Sequence, residues 1–477
     1  MRIVVVGGGV GGLCAAVHLA HAGHRVTVLE QGPAPGGKCA EVVRDGFRWD
    51  AGPSLLTLPQ VFAELFAATG APLDDELELM RVEPVTRYEF ADGSSVELSA
   101  DLPRALEALE AWSPGAAADW TRLLGTCAGM WRASHAFLEG PPPWPPRRPA
   151  AGEPAPDPRD ALRIRPWWTL RRLARAHAAD PRLRLIVERF ATYAGADPRR
   201  APAALALAGF VEHAFGAWHP RGGLHELVRA LVRRLEALGG ELRLGTGVER
   251  ILVQGGRARG VVAAGATVGA DAVVAAVDEA LVRRRLLPAA PVRRGPEPER
   301  SLSGLALLLG LRGRTSETVH HRIRFPADTD AEFDDVFVHR RPVRDPTVYV
   351  CVPGVSDPSL AAAGGESWFV LVNAPAVGDG ADWAAAEAAL LERLGVRDRL
   401  AAAVRRTPGD LERETGAPGG AIYGRAPHGR LAGLRRPGPR VRGVAGLWLA
   451  GGTVHPGGGL PLVALGARSV ARAIGPA

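Results

Sequence analysis

The first thirty residues constrain the chain most. Arg2 to Val6 is apolar and β-branched, as in a strand buried on both faces. Gly7-Gly8-Gly9-Val10-Gly11-Gly12 follows and satisfies GxGxxG through Gly7, Gly9 and Gly12. Leu13 to Ala22 has helical character, Gly23 stops it, and Arg25 to Leu29 makes a second strand that ends at Glu30. Gly7 permits the tight turn, Gly9 lets backbone approach a pyrophosphate, and Gly12 lets helix and strand pack closely. Phosphates sit on the free N–H groups of the helix N-terminus. Glu30 can accept hydrogen bonds from a ribose diol, and its charge disfavours a 2′-phosphate. The competing account is a glycine-rich turn in an unrelated α/β unit. A strand before, a helix after and an acid at the next strand end weigh against it.

The residues after Glu30 separate FAD from NAD. Pro33-Ala34-Pro35-Gly36-Gly37-Lys38 is a second glycine turn, and Asp50-Ala51-Gly52-Pro53 is a third. An NAD dehydrogenase would continue with further βα units. Repeated glycine turns suit an elongated FAD, whose diphosphate, ribityl chain and ring must all be approached by backbone. No second GxGxxG is present, so no separate nicotinamide domain is expected.

These turns resemble those of the bacterial phytoene desaturase family, within the amine-oxidase-like flavoproteins. Trp218-His219-Pro220-Arg221-Gly222-Gly223 is similar to its aromatic-x-Pro-x-Gly-Gly turn, and Leu242 to Val248 to its strand near the adenine. Asp357-Pro358-Ser359-Leu360-Ala361 resembles its DPSLAP segment, with Ala362 in place of the last proline. Gly419 to Gly424 stands near its GSIYG motif, and Leu447 to Pro461, LWLAGGTVHPGGGLP, resembles its closing flavin segment. Within the family, Arg189 to Tyr193 and His455 to Gly459 look most like the hydroxyneurosporene (carotenoid 3,4-) desaturase branch. The resemblance implies FAD as cofactor and Gly7, Gly9, Gly12, Glu30, Gly37, Lys38, Gly52, Pro53, Val248, Gly451, Gly452, Pro461 and Leu462 as the residues that hold it. Lys38, the sole lysine of the chain, would contact the flavin or its diphosphate.

The implied fold is α/β: a Rossmann-like FAD-binding domain of the amine-oxidase type interleaved with an α+β substrate domain. Residues 1–100, 216–296 and 416–477 would build the first, and 101–215 and 297–415 the second, membrane-facing one. Val248 to Val262 reads as two short strands around Gly255-Gly256, followed by a buried strand over Asp271 to Ala276. The proline-rich stretch from Gly140 to about residue 158 is expected to be a mobile surface loop.

The reaction implied is the removal of two hydrogens from adjacent carbons of a polyene, with hydride passing to the flavin. The conjugated chain delocalises the developing positive charge, so a dry, shaped tunnel and an oriented flavin carry most of the chemistry. No Ser-His-Asp arrangement and no metal-ligand spacing occurs. His455, inside the closing segment, is the candidate proton acceptor; its competing role is a loop histidine bonding its own turn. Glu212-His213 reads as an ordinary helix pair. Tyr193 and Phe190 read either as channel lining or as plain core. The electron acceptor implied is a quinone or O2.

Lys+Arg of 58 against Asp+Glu of 51 gives +7, yet the abundance of Arg, Ala, Gly and Pro is compositional bias, and nucleic-acid binding is not expected. Four separated cysteines read as reduced thiols of a cytoplasmic protein. The apolar start leads into a second strand rather than a cleavage site, and no run long enough to span a bilayer follows. One basic cluster, Arg163 to Arg175 with Trp167-Trp168, suits the headgroup level of an anionic membrane; the alternative is a surface helix with its tryptophans packed inward. The expected location is peripheral, on the inner face of the cell membrane. Two other functions stay open: a flavin-dependent desaturase, isomerase or saturase acting on a non-carotenoid polyene such as a polyketide chain, and a non-catalytic flavin- or carotenoid-binding protein.

Overall fold

A computed structural model describes residues 1–140, 157–287, 297–429, 432 and 436–477. The proline-rich stretch falls mostly outside the described residues. Five parallel strands form the first sheet, in the order Leu447–Leu449, Ala272–Ala275, Arg2–Val6, Arg25–Leu29, Glu241–Arg243. Alternation along Arg2–Val6 decides what covers each face. Ile3 and Val5 pack with the helices Val10–His21, His225–Ala237 and Leu460–Ile474. Val4 and Val6 pack with Ile251, Val261 and Ala263 of a three-stranded sheet, Val248–Gln254, Arg257–Ala263 and Ala266–Gly269.

The second sheet has seven strands, in the order Leu400–Arg406, Ser303–Arg312, Gly365–Ala374, Val348–Cys351, His321–Arg324, Thr86–Glu89, Ser95–Leu98. The last two strands, Thr86–Glu89 and Ser95–Leu98, precede the expected boundary at residue 100. Thr86–Glu89 pairs in parallel with His321–Arg324, so the chain crosses to the second sheet well before that point. One face of this sheet, through Leu305, Leu307 and Leu309, packs on Trp383 and Leu390 of the helix Trp383–Leu394. The other face receives the hairpin Glu41–Arg44/Phe47–Asp50: Phe47 and Trp49 pack on Ala306 and Leu308, and Trp49 Nε1 donates to the Leu309 carbonyl at 3.2 Å. A helical layer with Trp120, Leu123, Ile186 and Phe190 at its core covers the strand residues Tyr88 and Ile323.

Asp50 joins hairpin to helix. Its carboxylate accepts the Leu224 and His225 N–H groups at 2.7 and 3.0 Å, capping the start of His225–Ala237. Burial pushes that carboxyl up to about 6, against the two backbone donors that favour its charge. Among the described residues no helix is long and apolar enough to cross a membrane.

A Cβ at Gly12 would lie 2.1 Å from the Gly7 carbonyl oxygen. Gly12→Ala is therefore expected to force helix and strand apart, destabilising the protein by about 1–3 kcal/mol. A lowered thermal midpoint in circular dichroism checks this; an unchanged melt contradicts the packing account.

Candidate active site

Two cavities adjoin between the sheets. The first, about 380 Å³, lies over the glycine turn at the ends of the parallel strands. Gly7, at φ +98°, donates its N–H to Leu29 O at 2.8 Å and turns the chain into the helix Val10–His21. Gly9 caps that helix without a side chain, leaving first-turn N–H groups for an anion. A Cβ at Gly9 would meet only Gly36 O and Gly37 Cα, at 3.8 and 3.9 Å, in ordinary contact. Glu30 accepts from Gly8 N–H through Oε2 at 2.7 Å and from Gly32 N–H through Oε1 at 2.8 Å. A carboxylate has lone pairs to spare beyond these two bonds. Gly37, Lys38, Gly52, Pro53, Val248, Gly451 and Gly452 line the same cavity.

Three expected cofactor residues lie elsewhere. Gly12 is buried against Gly7 and does not face the cavity. Pro461 and Leu462, at the start of Leu460–Ile474, line the second cavity instead, while Leu460 and Val463 of the same turn line the first. Lys38 is on the wall, but its ammonium donates to the carbonyls of Ile422 and Ala421. Burial lowers it to about 8, with the Asp278 carboxylate opposing. Asp278 Oδ2 and the Arg406 guanidinium, which no motif singled out, also belong to this region, Oδ2 having no partner among the described residues.

The second cavity is larger, about 530 Å³, and mostly apolar, both within the roughly 300–1,000 Å³ of small-molecule sites. Its walls are Trp131, Phe137, Phe190 and Leu205 from the helical layer, and Tyr349 and Phe369 from the second sheet. Gly52, Pro53, Phe369, Leu371, Tyr423 and Gly458 line both cavities, so a flat ring held in the first would face a long molecule held in the second. Tyr349 Oη hydrogen-bonds with Ser54 Oγ directly beyond Pro53.

His455 lines this second cavity rather than the first, and burial lowers its imidazole to about 4. Its Nε2 has no partner among the described residues, so the expected bond to its own turn is absent at that atom. Tyr193 and Phe190 both line the cavity. The Glu212–His213 pair divides: His213 Nε2 accepts from Trp120 Nε1 at 3.0 Å, whereas Glu212 faces the cavity. Tyr193 Oη donates to Glu212 Oε1 at 3.3 Å, and burial pushes the Glu212 carboxyl up to about 7. Arg189 also lines the cavity, its guanidinium 5.6 Å from the Tyr193 ring centre. Signal for Glu212 existed: Leu207, Ala208, Val211 and Glu212 fall on one helical stripe, where the acid is the odd member. Cross-strand pairing of His321 with Cys351 also gathers donor atoms of His320, His321 and Cys351 within 4.8 Å of one another, which spacing along the chain does not reveal.

A dinucleotide cleft that shares a wall with an apolar chamber defines a flavin-dependent oxidoreductase for an apolar substrate. Residues 10–305 match the model of the flavin containing amine oxidoreductase family. The hydroxyneurosporene desaturase of Rubrivivax gelatinosus is 37% identical, with 99% of this chain and 93% of that protein covered. The zeta-carotene-forming phytoene desaturase of Myxococcus xanthus is 34% identical over 98% of this chain and 93% of its own length. An oxidoreductase of known structure from Methanosarcina mazei shares the fold with a TM-score of 0.66 at 18% identity, covering 99% of this chain and 100% of that one. The chain belongs to the flavin-containing amine oxidoreductases and, among them, to the bacterial carotenoid desaturases. Its cofactor is FAD.

Gly9→Ala separates folding from cofactor binding. The added methyl has room in the chain itself but stands in the first cavity. The variant is expected to melt like the parent after FAD is stripped from both, and to bind FAD at least about tenfold more weakly, about 1.4 kcal/mol. Fluorescence titration of apoprotein reads the affinity; wild-type affinity contradicts the placement of the diphosphate.

Proposed function

We propose that this protein is an FAD-dependent desaturase that introduces C=C bonds into a carotenoid held in the second cavity. The observation that carries the reading is the wall common to both cavities. When bound, FAD supplies the hydride acceptor. Gly7, Gly9, Glu30, Gly37, Gly52, Pro53, Val248, Gly451 and Gly452 would hold it, and Lys38 would brace the carbonyls of the ring-side wall. Phe369, Leu371 and Tyr423 would press the polyene toward that wall while the apolar lining excludes water. Three relatives named hydroxyneurosporene desaturase favour a hydroxylated or acyclic carotenoid over a polyketide polyene. A quinone or O2 would reoxidise the flavin.

A membrane surface would deliver the substrate. Ile164 and Pro166 line the second cavity, and beside them Leu162 and Trp167 are 60% and 47% exposed. Arg165 and Arg172 both lie over the Trp168 ring, at 4.7 and 4.4 Å from its centre. Exposed apolar side chains with arginines close in sequence, next to residues that line the chamber, suit docking on the anionic inner leaflet.

The function is tested with FAD-loaded protein, a quinone and liposomes carrying phytoene, neurosporene, lycopene or a 1-hydroxylated derivative. A product two hydrogens lighter with a red-shifted spectrum is expected; absence of turnover on every carotenoid overturns the substrate class. Replacing Leu162 and Trp167 by Ser is expected to weaken co-flotation with anionic liposomes several-fold at unchanged FAD content. Unchanged flotation contradicts the docking surface.

A further inference from the structure

Desaturation releases a proton as well as a hydride, and an apolar chamber offers few groups to take it. The described lining of the second cavity contains two histidines and one carboxylate: His321, His455 and Glu212. Both histidines are held near 4 by burial and are weak bases. Glu212 sits on the helix Leu207–Phe215, buried, with Oε1 accepting from Tyr193 Oη and no hydrogen bond to Oε2 among the described residues. Tyr193 lies in the turn Phe190–Ala194 that follows the helix Pro181–Arg189. The charged and titratable groups around Glu212 are Tyr193, Arg189 at the end of that helix, and Tyr88 and Tyr349 on the second sheet. Tyr349 is hydrogen-bonded not to Glu212 but to Ser54, beside the wall shared with the first cavity. The carboxylate therefore stands in the chamber, hydrogen-bonded among the described residues to the Tyr193 hydroxyl alone.

Resting on the desaturase reading, we propose that Glu212 is the catalytic base, whose Oε2 takes the proton lost by the substrate. The balance is complete. One carbon loses hydride, with the electron pair of its C–H bond, to FAD. The adjacent carbon loses its hydrogen as a proton to Glu212, and the pair of that second C–H bond closes the C=C bond. The substrate is oxidised by two electrons, the flavin is reduced by two, and the quinone or O2 takes them on. Before the proton leaves, the carboxylate also faces the cationic carbon chain and stabilises it. Tyr193 orients the base through Oε1 and leaves Oε2 to the substrate.

A carboxyl near 7 is matched to a general base at neutral pH, and such groups contribute about 10²–10⁴-fold to rate. The active form is the ionised one, so the rate should rise with pH through about 7 and level off above it. Glu212→Gln keeps size and polarity and removes the base.

The test mixes FAD-loaded protein anaerobically with carotenoid liposomes and follows bleaching of the flavin across pH. Wild type is expected to bleach with a rising limb near 7, Glu212→Gln at least about 10²-fold more slowly and without that limb. Tyr193→Phe removes a donor that favours the charged form, so its limb is expected at higher pH. Infrared spectra give a readout independent of turnover: the difference between wild type and Glu212→Gln is expected to hold a protonated-carboxyl band that fades as pH rises through about 7, the band of Asp50 cancelling between the two. Bleaching of the Gln variant at the wild-type rate, or a difference spectrum without that band, overturns the assignment. Wild-type flavin that stays oxidised overturns the desaturase reading itself, and the assignment falls with it.

Discussion

The 2.1 Å that would separate a Gly12 Cβ from the Gly7 carbonyl is the contact on which the rest is built. It sets the helix Val10–His21 hard against the end of the first strand, so the helix N-terminus opens onto the first cavity. A second glycine approach completes the arrangement. A Cβ at Gly11 would lie 3.0 Å from Gly451 Cα, so the closing segment is drawn against the same helix. That segment then runs through Gly458 and Leu460 along the wall between the two cavities. Cofactor cleft and chamber are thus placed by backbone contacts rather than by any one side chain.

Such a site separates its tasks by environment. The first cavity is walled by backbone and by groups that accept or donate hydrogen bonds, among them Glu30, Lys38 and Asp278. The second is apolar, yet it holds Glu212, Arg189 and Arg436. Each is costly to bury charged, and the chamber answers in different ways. Burial lowers Arg436 to about 10 while Nη1 donates to Gly452 O at 3.1 Å. Arg189 lies over the Tyr193 ring, and Glu212 is raised to where both of its forms are populated near neutral pH. A carboxyl in that state can change charge during a reaction at small energetic cost.

Much of this was legible in the sequence because local chemistry specified it. Arg2 to Glu30 reads as strand, turn, helix and strand, and does fold so, since the glycine spacing and hydrophobic period agree. Asp50-Ala51-Gly52-Pro53 was visible as a turn, but its work as a helix cap and as common wall depends on Leu224 and on the second sheet. Pairing of Thr86–Glu89 with His321–Arg324 was illegible, since partners more than two hundred residues apart leave no local signature. The same is true of the neighbours of Glu212. Its place on an apolar helical stripe was readable; the Tyr193 hydroxyl and the chamber beyond it required the fold. Pro461 and Leu462 adjoin the expected cofactor segment in sequence, yet they line the second cavity, which the sequence did not reveal.

The central claim is that the wall formed by Gly52, Pro53, Phe369, Tyr423 and Gly458 has the flavin ring on one side and the polyene on the other. A crystal structure of the protein loaded with FAD and a slowly turned over carotenoid tests this most directly. The account predicts diphosphate density at Gly9 and the helix N-terminus, the isoalloxazine at the shared wall, and the polyene passing Glu212 in the second cavity. A flavin ring away from that wall, or a carotenoid bound outside the chamber, would contradict it.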